Sequence, residues 1–143
     1  MGTFESAPKI FTVEQATYLI PKIVEVLKKL RKQQGSIQKL EERKAIEELS
    51  WLREDGTVSP NAKEAISKLE ESQRKDLHRF EEILEELDSL GGQLKDLDQG
   101  LIDFFGARGD SLIYLCWKEG EDKIRYWHDL EAGFARRLLL QEL

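Results

Sequence analysis

From residue 125 to residue 137 the chain reads RYWHDLEAGFARR, and it holds His128, one of only two histidines. An imidazole changes charge near neutral pH, so it can serve as a general acid, a general base or a metal ligand. Carboxylates surround it along the sequence. Asp103 sits inside the apolar stretch GLIDFFG, where an acid must be exposed, paired or functional. Asp96 and Asp98 fall in the loop LKDLDQG, Glu121 in a short polar loop, and Glu131 shortly after His128. One imidazole with two or three carboxylates suits a hard or borderline divalent ion. His128, Asp103 and Glu131 are therefore the candidates for catalysis and, equally, for metal binding. A single histidine is thin support, because familiar catalytic zinc centres use more. No cofactor is favoured, and a divalent metal is the one these residues could hold. A plainer use competes with all of this: His128 donates to Asp103 or to a backbone carbonyl, and the loop acids serve turns.

Arginines and the lone cysteine come next. Arg136, Arg137 and Arg125 make a small basic spot, and a guanidinium can clamp an anion through two parallel hydrogen bonds. Arg136 could so orient an anionic substrate, although pairing with Glu131 or Asp129 is the simpler outcome. Cys116 lies among bulky apolar neighbours in SLIYLCWK, a setting for core rather than for a nucleophile. Strand alternation nevertheless places it on the face of His128 if the hairpin register permits. His78 falls on a long charged helix and reads as a surface residue. Phosphate loops, dinucleotide fingerprints, zinc-protease helices, nucleophile elbows and calcium loops are all absent.

At 143 residues the chain is long enough to bury a real core as one domain, 1–143. The net charge is -6 and the pI about 5.1. Affinity for phosphate backbones comes from Lys and Arg displacing counterions, so no nucleic-acid partner is expected. One cysteine allows no intrachain disulfide, which agrees with a reducing, cytoplasmic setting. No apolar run approaches the roughly 18 residues of a membrane helix, so no membrane partner is expected either. The opening MGTFES fits the pattern for myristoylation at Gly2, but it carries no basic residue to supply a second anchoring signal.

These residues need a frame. Thr12 and Gln15 form a capping box, and Ala16, Leu19, Ile20, Ile23, Leu27 and Leu30 follow at helical spacing. Pro21 should bend that helix and Gly35-Ser36 marks a break or a weak point in it, with Ile37, Leu40, Leu49 and Leu52 carrying more helix beyond. REDGTVSPNA is turn chemistry, and Ser59-Pro60 starts a second helix. Ile66, Leu69, Leu77, Phe80, Leu84, Leu87 and Leu90 mark its apolar face at a near-heptad period, and Gly91-Gly92 closes it. The remainder has strand character: GLIDFFG, SLIYLCWK and KIRYWHD, the last two joined by EGEDK. The fold class is α+β, with long antiparallel helices (residues 11–92) packed on a three-stranded antiparallel β-meander (residues 93–143). Both faces of the meander carry bulk, which points to a homo-oligomer burying the second one.

KDLDQGLIDF, YLCWKEGE and YWHDLEAGFARR, after FTVEQATYLIPKI, resemble a prokaryotic family, domain of unknown function number 2203, from about Phe11 to Arg137. Position by position the resemblance falls on Lys95, Asp96, Gly100, Asp103, Cys116, Trp117, Gly120, Glu121, Trp127, His128, Gly133, Phe134 and Arg136. It implies a residue set and no reaction. Binding candidates are accordingly Arg136, Glu121, Asp96, Lys95, Trp117 and Trp127. Two departures stand out: Phe105, where a proline is usual, and Leu138-Leu139, which invites a helical tail. The missing catalytic motifs and the heptad-like helix point first to a cytoplasmic interaction or scaffold module that self-associates. The alternative is a metal-dependent or acid/base enzyme centred on Asp103, His128 and Glu131.

Overall fold

The computed structural model describes residues 9–50, 56–57 and 59–142. Gly2 with its myristoylation pattern, Leu52 and Asp55 lie outside them.

Helix α1 spans Val13–Ser50 and starts at its capping box: Gln15 N–H donates to Thr12 Oγ1 at 3.1 Å, and Thr12 N–H to Gln15 Oε1 at 3.0 Å. Helix α2 spans Pro60–Ser89 and is capped by Ser59, whose Oγ accepts the Ala62 amide at 3.2 Å. At its end Gly91 takes φ +91°, and the Gly92 amide returns to Leu87 O at 3.2 Å. A side chain at Gly91 would also collide with the Phe11 ring.

Gly35-Ser36 does not break α1, and Pro21 also lies within it. A helical glycine costs only about 1 kcal/mol, which tertiary pairing readily offsets. That pairing is visible in residues 28–84, one of two compact units of the chain. There Gln73 Nε2 donates to Glu41 Oε2 at 2.6 Å and Lys44 meets Glu70 at 3.4 Å, tying the two helices into an antiparallel hairpin. Among the described residues of this unit the buried positions are Leu30, Ala62, Leu69 and Ile83. Leu77, which the near-heptad period places on the apolar face, is half exposed. Alternating steps of four and three run instead through Ala62, Ile66, Leu69, Gln73, Asp76, Phe80 and Ile83, and Leu77 falls beside that seam.

The second unit holds α1 up to Leu27 and the chain from Glu85 onward. Its sheet has five strands rather than three: β1 Gln93–Asp96, β2 Leu101–Arg108, β3 Ser111–Lys118, β4 Tyr126–Asp129 and β5 Leu138–Leu139, antiparallel neighbours in that order. Leu138-Leu139 pairs with Trp127 and Tyr126 instead of continuing as helix. β4 begins later than KIRYWHD suggested, because the Ile124 amide is taken by Thr17 Oγ1 at 3.1 Å and Ile124 is buried.

Alternation divides the sheet into two faces. Ile102, Phe104, Ile113, Leu115, Trp117 and Trp127 form the inner, helix-side face, and all are buried. Phe11 meets Phe104 edge-on at 5.2 Å, and a Cβ on Gly92 would touch Leu87, Ile102 and Ile23 at 2.9–3.3 Å. The outer face carries Gln93, Asp103, Phe105, Tyr114, Cys116, Tyr126 and His128.

Candidate functional site

The register of three strands assembles the outer face. Asp103 on β2 pairs with Cys116 on β3, and Tyr114, two residues earlier, pairs with His128 on β4. His128 therefore stands diagonally from Asp103, and its Nε2 lies 3.0 Å from Asp103 Oδ2. Asp103 is 2% exposed and His128 3%, the two buried polar side chains among the described residues. His128 Nδ1 lies 2.8 Å from Asp129 O. A carbonyl oxygen only accepts, so Nδ1 carries a hydrogen and the Nε2 edge faces the carboxyl.

Burial raises the Asp103 pKa above the ordinary carboxylate range, and the charge of His128 works against that rise. The third group is Cys116. Burial first, and then the charge of Asp103, push its thiol up to about 12, with Arg137 pulling the other way. The thiol is thus protonated at neutral pH and donates towards the Asp103 carboxylate. The ligand atoms of Asp103, Cys116 and His128 all lie within 4.8 Å of one another.

A cavity of about 280 Å³ opens onto these three groups, and its other walls include Lys95, Asp96, Tyr114, Leu130, Ala132 and Phe134. Tyr114 stacks on Phe105 with centroids 5.1 Å apart and donates its hydroxyl to Gln93 Oε1 at 3.0 Å. Lys95 Nζ lies 4.5 Å from the Tyr114 ring centroid. A larger hollow of about 740 Å³ beside Val13, Tyr18, Ile124 and Leu139 contains none of the candidate residues. Size and chemistry diverge here, and the chemistry lies with the smaller space.

Arg137 lies within reach of Cys116. Its Nη1 and Nη2 donate to Glu121 Oε1 and Oε2 at 3.1 and 2.7 Å. Its guanidinium lies 3.9 Å from the Tyr126 ring centroid and 4.3 Å from that of Phe134. Burial opposes its charge, but the hydrogen bonds and charge of Glu121 outweigh this and leave its pKa raised. Glu121 Oε1 also accepts the Lys118 amide at 2.9 Å, and Trp117 Nε1 donates to Glu121 O at 2.8 Å. The β3–β4 hairpin and the C-terminal turn are thereby clamped together.

The model of a family described as Uncharacterized conserved protein (DUF2203) matches residues 9–140. The chain belongs to the DUF2203 family. No curated protein and no solved structure matches it. The stretches that resemble this family build most of the centre: KDLDQGLIDF carries β1 and Asp103, YLCWKEGE carries Cys116 and Glu121, and YWHDLEAGFARR carries His128 and the cavity's outer wall.

Of the residues singled out in the DUF2203 chain, His128 and Asp103 meet. Glu131 does not join them; it is exposed in a turn closed by the Ala132 amide on Asp129 O at 3.1 Å. Arg136 is exposed as well, because the short 3-10 turn Phe134–Arg136 delivers the next residue, Arg137, to the site. Glu121 is spent on Arg137 and the Lys118 amide rather than left for a ligand. Asp96 borders the cavity but accepts from the Gln99 amide at 3.0 Å, a hydrogen bond that lowers its pKa. Lys95 borders the cavity too. Trp117 and Trp127 belong to the inner face, and neither lines the cavity. Three residues beyond the sequence candidates contribute: Cys116, Tyr114 and Arg137. Alternation had already put Cys116 on the face of His128, and the family resemblance falls on it as well.

Proposed function

We propose that the protein is an enzyme of small-molecule chemistry whose reacting centre is the Asp103–His128 pair on the cavity wall. One observation carries this reading: an imidazole and a carboxyl, each almost wholly buried, stand 3.0 Å apart on the wall of a cavity. Such a pair is weak evidence for stability, because taking two ionisable groups out of water costs several kcal/mol per ion and apolar residues would fill the space as well. A fixed Nδ1–H leaves Nε2 as the one ring atom free to exchange a proton, with Asp103 balancing the charge. The test is a panel of generic esters, phosphomonoesters and amides, assayed with wild type and His128→Asn. Turnover should fall by about 100-fold or more in the variant, the usual scale of acid–base catalysis. Equal rates in the two proteins would remove the reading.

A second reading, self-association as a cytoplasmic interaction module, draws on a different surface. Strand β5 is a sheet edge with Leu138 46% and Leu139 40% exposed, and Tyr18 is 80% exposed. Sedimentation of wild type against Leu138→Lys tests it, and a concentration-independent monomer would count against it.

A further inference from the structure

We propose that Cys116, Asp103 and His128 are the protein ligands of a zinc-class divalent ion, with a further coordination position turned to the cavity. The proposal rests on reading that cavity as the working site and names the cofactor class it would take.

Three observations converge. The sulfur, carboxylate oxygen and imidazole nitrogen already lie within 4.8 Å of one another, and the oxygen–nitrogen pair stands at 3.0 Å. A tetrahedral ion with bonds of about 2.0–2.3 Å needs ligand atoms roughly 3.3–3.6 Å apart, so a slight opening of the oxygen–nitrogen pair and an inward shift of the thiol would complete the set. The imidazole is prepared in the way metal-bound histidines are: Nδ1–H is held by Asp129 O at 2.8 Å, which fixes the ring and leaves Nε2 for the ion. The cavity touches all three ligands, and a three-ligand centre with an open side is the catalytic rather than the closed structural arrangement.

Charge favours the same occupant. A divalent ion with one thiolate, one carboxylate and one neutral imidazole sums to zero, so the loaded centre buries no net charge. One sulfur, one nitrogen and one oxygen select a borderline ion over calcium or magnesium, which take oxygen ligands. Arg137 lies close enough to draw the Cys116 pKa down and would favour the thiolate that the ion needs. Loading balances as follows: the ion displaces the thiol proton of Cys116, which leaves to solvent with any proton held between His128 Nε2 and Asp103.

The experiment is a cobalt(II) titration of the chelator-treated full chain, followed by absorbance and by calorimetry in buffers of different ionisation enthalpy. Wild type should take one cobalt with a near-ultraviolet thiolate-to-metal band and release at least one proton. Cys116→Ser should lose the band while circular dichroism shows it folded, and His128→Asn should bind at least 10-fold more weakly, as expected when a ligand is lost. A folded wild type that takes no cobalt at neutral pH, or a band that survives Cys116→Ser, would overturn the site. The two proposals separate cleanly. No cobalt with turnover still dependent on His128 overturns the ion and leaves the acid–base enzyme; a thiolate-bound cobalt without turnover supports the ion and removes the enzyme.

Discussion

The two faces of one sheet obey opposite rules. On the inner face Ile102, Phe104, Ile113, Leu115, Trp117 and Trp127 are buried against the helix-side core. On the outer face the same three strands bury Asp103, Cys116 and His128, with the C-terminal turn rather than a helix closing the space above them. Hydrophobic transfer explains the first face at roughly 25 cal/mol per Å². It does not explain the second, where ionisable groups carry a desolvation cost that apolar residues would avoid. The difference teaches where the sequence serves stability and where it holds something else.

Substitutions can break this contrast. The largest effect belongs to the inner face: Phe104→Ala should cost about 3–5 kcal/mol in urea unfolding while any folded fraction keeps the outer-face geometry. Next comes the pair. Asp103→Ala should cost about 3 kcal/mol because it strips His128 and Cys116 of their acceptor, whereas Asp103→Leu combined with His128→Leu should recover most of that loss. Additive losses in the double variant would mean that the pair is there for stability.

Smaller effects sharpen the picture. Glu121→Gln should cost about 1–2 kcal/mol by weakening the Arg137 clamp, read as a shift in the urea midpoint at unchanged slope. For Cys116 the pH dependence has a definite sign. Its folded pKa of about 12 lies above the ordinary 9.0, so the unfolded chain loses this proton first. Its contribution is whole below pH 9 and fades as pH rises towards 12, so wild type should lose stability relative to Cys116→Ala across that window. Least of all, Leu139→Ser on the exposed edge should move monomer stability by no more than about 0.5 kcal/mol.

Local chemistry was the legible part of the fold. Thr12 with Gln15, Ser59 with Pro60, and Gly91 each act over four residues or fewer, and each stands where the sequence placed it. The three central strands announced themselves through bulky apolar runs. β1 and β5 did not: Gln93–Asp96 lacks β-branched residues, and Leu138–Leu139 is a strand only because Tyr126 and Trp127 pair with it. The site divides along the same line. Alternation along β3 and β4 foretold that Cys116 and His128 share a face, and an acid inside GLIDFFG foretold a partner for Asp103. Which of two adjacent arginines turns inward depends on a single 3-10 turn, so Arg137 rather than Arg136 was decided by backbone geometry that no periodicity encodes.

The two histidines allow the most direct test within one spectrum, because His78 is exposed on α2, 3.8 Å from Glu82, while His128 is buried on the outer face. Long-range nitrogen–proton NMR of 15N-histidine-labelled protein would read both rings before and after one equivalent of Zn2+. The expected result is a fixed Nδ1–H on His128, a zinc-induced shift confined to its Nε2, and an unmoved His78. Two rings that look alike beforehand and stay unmoved by zinc, or a zinc shift at His78 alone, would contradict the division between the faces.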